Sequence, residues 1–282
     1  MGDILFIGGD RRMICAAELI SQSGGVCAVG LGGDFPEPEN QSDGYERIVL
    51  PVPFSRDGEN ITAPLSERPL PLELLTDYAA AGARIFSGGT STKLEALCET
   101  HGLQLVNYMA AEELTLKNAL LTAEGAVSLL ISGYDGALFD STAVITGYGR
   151  IARYLARLLQ AFRCRVTIAA RSPLQREAAL LDGLCTLPVT LAGLAAAGAD
   201  LVINTVPACI LTEECFSRMR YGAVYMELAT RSETPEKGWA EARGVKYIAA
   251  GGLPGKFSPR TAGEAIARAV ISAEHSQAPA ET

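Results

Sequence analysis

The stretch AVITGYGRIARYLARLLQAFRCRVTIAAR at 143–171 constrains this chain more than any other. Residues 143–146 form a short apolar run suited to a buried parallel strand. Gly147-x-Gly149-x-x-Ala152 follows at once, and Ile151, Leu155, Leu158, Leu159 and Phe162 then recur at helical spacing. A second strand over 165–170 closes the unit. Each small residue has a physical reason. Gly147 permits the tight turn, Gly149 lets a pyrophosphate approach the backbone, and Ala152 lets helix and strand pack closely. The helix start adds unpaired N–H groups and the positive end of its dipole. Between two strands at this spacing, the motif predicts a dinucleotide site that also includes Tyr148 and Ile151.

The end of the second strand bears on which dinucleotide is held. An NAD site places a carboxylate about 20 residues after the glycines, on the ribose hydroxyls. Here the strand ends in Arg171-Ser172. A guanidinium can grip a 2′-phosphate through paired charge-assisted bonds, so NADP is expected ahead of NAD. The alternative is a solvated loop arginine. Arg150 lies in the turn, either beside the pyrophosphate or facing water.

The 282 residues suffice for two cores. The net charge of −8 argues against a nucleic-acid surface. No apolar run is read as membrane-spanning, and charges at Asp3, Asp10, Arg11 and Arg12 come too early for a signal peptide, so a cytoplasmic protein is expected. The seven cysteines include no C-x-x-C pair and read as reduced hydrophobes; Cys209, after a site loop, is expected to pack rather than attack. No His/Cys cluster has metal-ligand spacing, so no metal is expected.

The first part also alternates strands (3–9, 26–31, 48–52, 84–87, 103–107) with helices (12–21, about 71–81, 92–101), around a proline-rich loop region at 35–71. A connecting helix is expected over 109–132, with Glu124-Gly125 as the point where it could break. Later strands fall at 201–204, 223–228 and 246–249, a final helix covers 261–275, and the terminal QAPAET is expected to fray. The fold class is therefore α/β: two doubly wound, Rossmann-like domains with a cleft between them, and a C-terminal helix returning to the first domain. The boundary is set at 135/136, giving a substrate or assembly domain over 1–135 and an NAD(P)-binding domain over 136–282.

Strand C-termini in such sheets face the ligand crevice. In Asn204-Thr205-Val206-Pro207, backbone carbonyls and the Asn204 and Thr205 side chains are expected to meet the nicotinamide ribose and carboxamide. The turns at 227–230 and 251–256, with Gly252 and Pro254, are expected to line the same crevice. In the first domain, Thr90, Ser91 and Lys93 open a helix after a strand and form a candidate carboxylate trap, with Arg11 as a further charge. A helix cap with a solvated lysine is the alternative. No general base stands out; Glu124 and Glu227 are the carboxylate candidates, each more in keeping with a structural role.

Together GGDRR at 8–12, GGTSTK at 88–93, NALLTAEGAV at 118–127, TGYGRIA at 146–152, NTVPA at 204–208 and GGLPGKFSPRTAGEA at 251–265 resemble the family of dipicolinate synthase A subunits over nearly the whole chain. The last motif and the 118–127 segment are the specific ones. The chain departs from the pattern at Leu121, where proline is common, and at Ala152, where a third glycine is common. The resemblance implies oxidation of a dihydrodipicolinate-type ring, a small dicarboxylate, with hydride passing to NADP. It also implies the mother-cell cytoplasm of a spore former, a branch from lysine biosynthesis, and partnership with a flavoprotein-like B subunit. Family residues match at Gly147, Gly149, Arg150, Arg171, Asn204, Thr205, Gly252 and Pro254 on the cofactor side, and at Lys93, Thr90 and Ser91 on the substrate side. A homo-oligomer is expected. Three other readings stand beside this one. A 2-hydroxyacid dehydrogenase needs a histidine near the nicotinamide, and only His101 and His275 exist. A shikimate-type enzyme would need a Lys–Asp pair such as Lys93 with Asp135. A non-catalytic NADPH-binding regulatory protein is the third.

Overall fold

The computed structural model describes residues 3–38, 44–229 and 234–275. In chain order the first elements are β1 (Ile4–Ile7), α1 (Arg11–Ser21), β2 (Val26–Val29), β3 (Tyr45–Val49), β4 (Asn60–Ile61), β5 (Leu70–Pro71), α2 (Leu74–Tyr78), β6 (Ala79–Ser87), α3 (Thr92–Thr100), β7 (Gln104–Asn107) and α4 (Glu112–Gly133). They are followed by β8 (Thr142–Thr146), α5 (Arg150–Ala161), β9 (Arg165–Ala170), α6 (Pro173–Leu181), β10 (Cys185–Pro188), α7 (Ala192–Ala196), β11 (Leu201–Asn204), α8 (Glu213–Arg218), β12 (Val224–Glu227), α9 (Glu236–Glu241), β13 (Lys246–Ala249), α10 (Leu253–Phe257) and α11 (Pro259–His275).

The chain forms two Rossmann-like units. One comprises residues 1–118 and 254–282, the other 119–253. The division falls inside α4, whereas the sequence alone places it at 135/136. The first unit holds a parallel sheet in the order β2-β1-β3-β6-β7, with β4 and β5 as a separate antiparallel pair. The strand order reverses between β1 and β3, so the switch point lies beyond Ile7 and Val49. Phe6, Val49 and Phe86 on one face pack with Met13, Ala16, Ile266 and Val270 from α1 and α11. Close helix contact explains two glycines of the 251–265 motif. A Cβ on Gly263 would stand 2.5 Å from Arg12 O, and one on Gly255 would stand 2.7 Å from Asp10 Oδ2. The motif therefore packs on the GGDRR turn.

The second unit is a six-stranded parallel sheet, β10-β9-β8-β11-β12-β13. In local numbering this is the 3-2-1-4-5-6 order of a dinucleotide-binding sheet, with its switch point between β8 and β11. Ile145, Ile168, Ile203 and Met226 pack with Leu155 and Leu159 of α5 and with Ala123, Ala126 and Leu130 of α4.

Three local expectations change. The expected helix at 71–81 shrinks to α2, because Ala83, Ile85 and Phe86 complete a core strand that starts at Ala79. Helix α4 is unbroken at Glu124-Gly125; Gly125 is buried within it. The same helix, 22 residues with mean hydropathy 1.3 in its most apolar window, is long and apolar enough to cross a membrane by length and composition. Here half of that window is buried inside the protein. The terminal QAPAET lies outside the described residues, as does Thr230.

Candidate functional site

Gly147 leaves β8 with φ +82°, a conformation that L side chains rarely adopt. Its backbone N–H still donates to Ala169 O on β9 at 2.8 Å, which anchors the turn to the sheet. Gly149 differs. Its φ of −84° suits any residue, and a Cβ built there would meet nothing within 4 Å. The space that its missing side chain leaves is open, where a pyrophosphate would approach the start of α5. Gly149 is the N-cap of that helix and no side chain caps it, so the first N–H groups keep their capacity for an anion. The residues present fit a dinucleotide.

Around this turn the side chains divide by role. Tyr148 turns into the core, and its hydroxyl donates to Asp182 Oδ2 at 2.6 Å. Burial, aided by that carboxylate, pushes its phenol up to about 12. Only its backbone remains for a ligand. Ile151 is half-buried against the core. Arg150 and Arg171 are exposed, Arg150 at the first turn of α5 and Arg171 at the end of β9. Ser172 caps α6 through Gln175 N at 3.4 Å, and Arg176 braces the strand end through Ala170 O and Arg171 O at 2.8 and 2.9 Å. Arg176 therefore holds the strand end, while the Arg171 side chain has no bonded partner among the described residues.

At the C-terminal edge of the sheet, three strands end in polar residues that share one register: Thr146, Asn204 and Glu227. All three are buried. Thr146 Oγ1 donates to Asn204 Oδ1 at 2.5 Å. Asn204 Nδ2 donates toward both carboxylate oxygens of Glu227, at 3.1 and 3.0 Å, and toward Val206 O and Ala208 O at 3.0 and 3.2 Å. Glu227 Oε1 accepts from Ala229 N at 3.0 Å, and Thr205 Oγ1 donates to Thr146 O at 2.6 Å. The Asn204 and Thr205 side chains, expected to meet the ligand, are instead committed to the protein, and Asn204 also engages Val206 N and O. Sequence reasoning points to Asn204 and Glu227 but misses Thr146. Three apolar strands, AVIT, LVIN and VYME, each close on a polar residue, and that pattern is the signal that would have found it.

Gly252 turns at φ +67° with open space at its Cβ position. Pro254, expected on the cofactor side, is buried and groups with the first unit, in the short helix that packs on Asp10. Glu124 is exposed on α4.

In the first unit Ser91 caps α3 through Leu94 N at 3.2 Å, and Thr90 is exposed. Lys93 does not stand as a free cation. Its ammonium pairs with Glu59 and with Glu73 Oε1 at 3.1 Å. These hydrogen bonds hold the ammonium above its usual range, and a carboxylate ligand would have to displace two carboxylates. Arg11 is exposed at the start of α1, on the switch point. Its neighbour Arg12 is buried, donating to both oxygens of Asp10 and to Val52 O across that switch point. His101 and His275 end α3 and α11 and are exposed. Among the described residues no group of three or more His, Cys, Asp or Glu could hold a metal ion. None of the seven cysteines, all of them described, is in a disulfide; Cys185 and Cys209 are exposed and the others are buried or half-buried.

Residues 3–109 match the family of N-terminal domains of the dipicolinate synthase A subunit. Residues 131–232 match the NAD-binding domain of D-isomer specific 2-hydroxyacid dehydrogenases. The A subunit of dipicolinate synthase from Bacillus subtilis (strain 168) is 27% identical over 280 residues, covering 94% of this chain and 93% of its own. The crystal structure of the dipicolinate synthase A chain from Bacillus subtilis superposes with a TM-score of 0.81 at 25% identity, covering 98% of each chain. That of the dipicolinate synthase A subunit from Bacillus halodurans gives 0.83 at 23% identity, covering 96% of this chain and 97% of its own, and shares the fold. The second unit is an NAD(P)-binding domain of dehydrogenase type. Along nearly its whole length the chain carries the resemblance to dipicolinate synthase A subunits that its motifs pointed to.

Proposed function

We propose that this protein is an NADP-dependent oxidoreductase that oxidises a dihydrodipicolinate-type ring to dipicolinate, as the A subunit of a dipicolinate synthase in the mother-cell cytoplasm of a spore former. The observation that carries the reading is the joining, in one chain, of a dipicolinate synthase-type N-terminal domain to a dehydrogenase-type dinucleotide domain. When bound, the nicotinamide would accept the hydride that leaves the ring, while a proton leaves the ring for solvent or a base. Aromatisation favours the product, so the protein's task is chiefly positioning. The Gly147–Gly149 turn and the start of α5 hold the pyrophosphate. Arg171 favours the 2′-phosphate of NADP over NAD. Arg11, with the exposed hydroxyl of Thr90, offers the substrate carboxylates a cation and a donor in the first unit; Ser91 contributes the N-terminus of α3, and Lys93 contributes less than its charge suggests. A flavoprotein-like B subunit is the expected partner.

Shikimate-type and 2-hydroxyacid chemistry fit less well. Lys93 is engaged by Glu59 and Glu73, and both histidines sit exposed at helix ends. The test is a turnover panel with NADP: dihydrodipicolinate generated in place, shikimate, and a set of 2-hydroxy acids, each with and without the B subunit. NADPH should form with the first alone. Turnover of shikimate or a hydroxy acid instead would overturn the assignment. Substrate and cofactor binding without turnover, even with the B subunit, would favour a regulatory role.

A further inference from the structure

We propose that Glu227 is a positioning residue for the nicotinamide half of the dinucleotide, acting through Asn204. The inference rests on the reading of the second unit as a dinucleotide site. In a 3-2-1-4-5-6 sheet the two halves of a dinucleotide lie on either side of the switch point. The adenosine half would lie over the end of β9, beside Arg171. The nicotinamide half would lie over the ends of β11 and β12, which close at Asn204 and Glu227.

The hydrogen bonds fix those turns through one amide. Both oxygens of Glu227 accept from the Asn204 amide, which orients Asn204 with its nitrogen toward β12. Its oxygen is then left to accept from Thr146 Oγ1 and, at 3.3 Å, from Val206 N. The nitrogen in turn reaches Val206 O and Ala208 O, so both ends of the 206–208 turn are held by one side chain. Glu227 also accepts from Ala229 N and so shapes its own turn. At 4% exposure Glu227 does not itself offer a ligand surface. A buried polar cluster whose members satisfy one another fixes geometry more tightly than packing alone. The backbone it fixes is the backbone expected beneath the nicotinamide and its ribose.

The test compares NADPH with 2′-phospho-ADP-ribose, which lacks the nicotinamide, by calorimetric titration of wild type and Glu227→Gln, with a thermal melt of each. A glutamine keeps the shape but turns one acceptor into a donor facing Asn204. The expected result is a loss of about tenfold in NADPH affinity, the order of one buried hydrogen bond, with the fragment bound within about twofold of wild type. Thr146→Val, which cuts the other end of the chain of bonds, should show the same split. Equal losses for both ligands would assign Glu227 a merely structural role and overturn the proposal, as would unchanged binding of both. Failure of both variants to fold would make the cluster a folding element and would also overturn it. A wild type that binds neither ligand would instead remove the dinucleotide reading on which the proposal stands.

Discussion

A Cβ placed on Gly147 would stand 2.6 Å from Val206 Cγ1, so the turn that ends β8 is packed directly against the turn that ends β11. No such neighbour surrounds Gly149. Two glycines of one motif are therefore required for different reasons, and their variants should fail differently. Gly147→Ala meets both a left-handed φ and the Val206 side chain, and should cost about 2 kcal/mol or more of stability. Gly149→Val should melt near the wild-type temperature yet lose NADPH binding, because its methyl groups fill the space of the pyrophosphate. Denaturant titration paired with NADPH fluorescence checks both. A Gly149→Val protein that binds normally would take that residue out of the site.

The first unit supplies a second contrast, between two cations. Lys93 is held by Glu59 and Glu73, whereas Arg11 is exposed at the switch point. Arg11→Ala should weaken dipicolinate binding by roughly 10-fold or more, the scale of a charge-assisted hydrogen bond, without changing NADPH affinity. Lys93→Ala should change both dipicolinate binding and stability little, as expected of exposed pairs. Calorimetry with dipicolinate on both variants decides; a larger loss from Lys93→Ala would restore the lysine as the clamp.

Alkaline stability should depend on Tyr148. Burial and the Asp182 carboxylate hold its phenol at about 12, against an ordinary value of 10.0. The folded state thus retains the proton more tightly than the unfolded state does. The contribution of this group is complete below pH 10 and is lost as pH rises toward 12. Tyr148→Phe should lower stability at neutral pH by about 1 kcal/mol and flatten the decline above pH 10 by the share of one proton. Unfolding free energies measured across that range check it. The decline does not vanish in the variant, because burial also raises Tyr108 and Tyr134.

The β8–α5–β9 unit was legible because short-range physics dictates it: an apolar run, a glycine turn and a helical stripe leave few alternatives. The chain also showed its parallel strands over 201–204 and 246–249 for the same reason. The ends of α2 and β6 were not legible. Residues 79–87 contain four alanines and a glycine, and their strand identity comes from pairing with β3 and β7 rather than from propensity. Strand β10 was hidden because half of CTLP is exposed at the sheet edge. Among candidate site residues, Gly147, Gly149 and Arg171 were nominated by spacing. The ion pairs of Lys93 were not legible, because its carboxylate partners Glu59 and Glu73 lie 34 and 20 positions earlier in the chain.

The choice of cofactor is the most direct test of the account. NADPH and NADH should be titrated into the wild type and Arg171→Asp on one preparation. The wild type is expected to bind NADPH about 10- to 150-fold more tightly than NADH, the worth of one charge-assisted pair of about 1.5–3 kcal/mol, and Arg171→Asp to abolish or invert that preference. Equal affinities of the wild type for the two cofactors would contradict the reading of Arg171 as the 2′-phosphate clamp, and binding of neither would contradict the dinucleotide site itself.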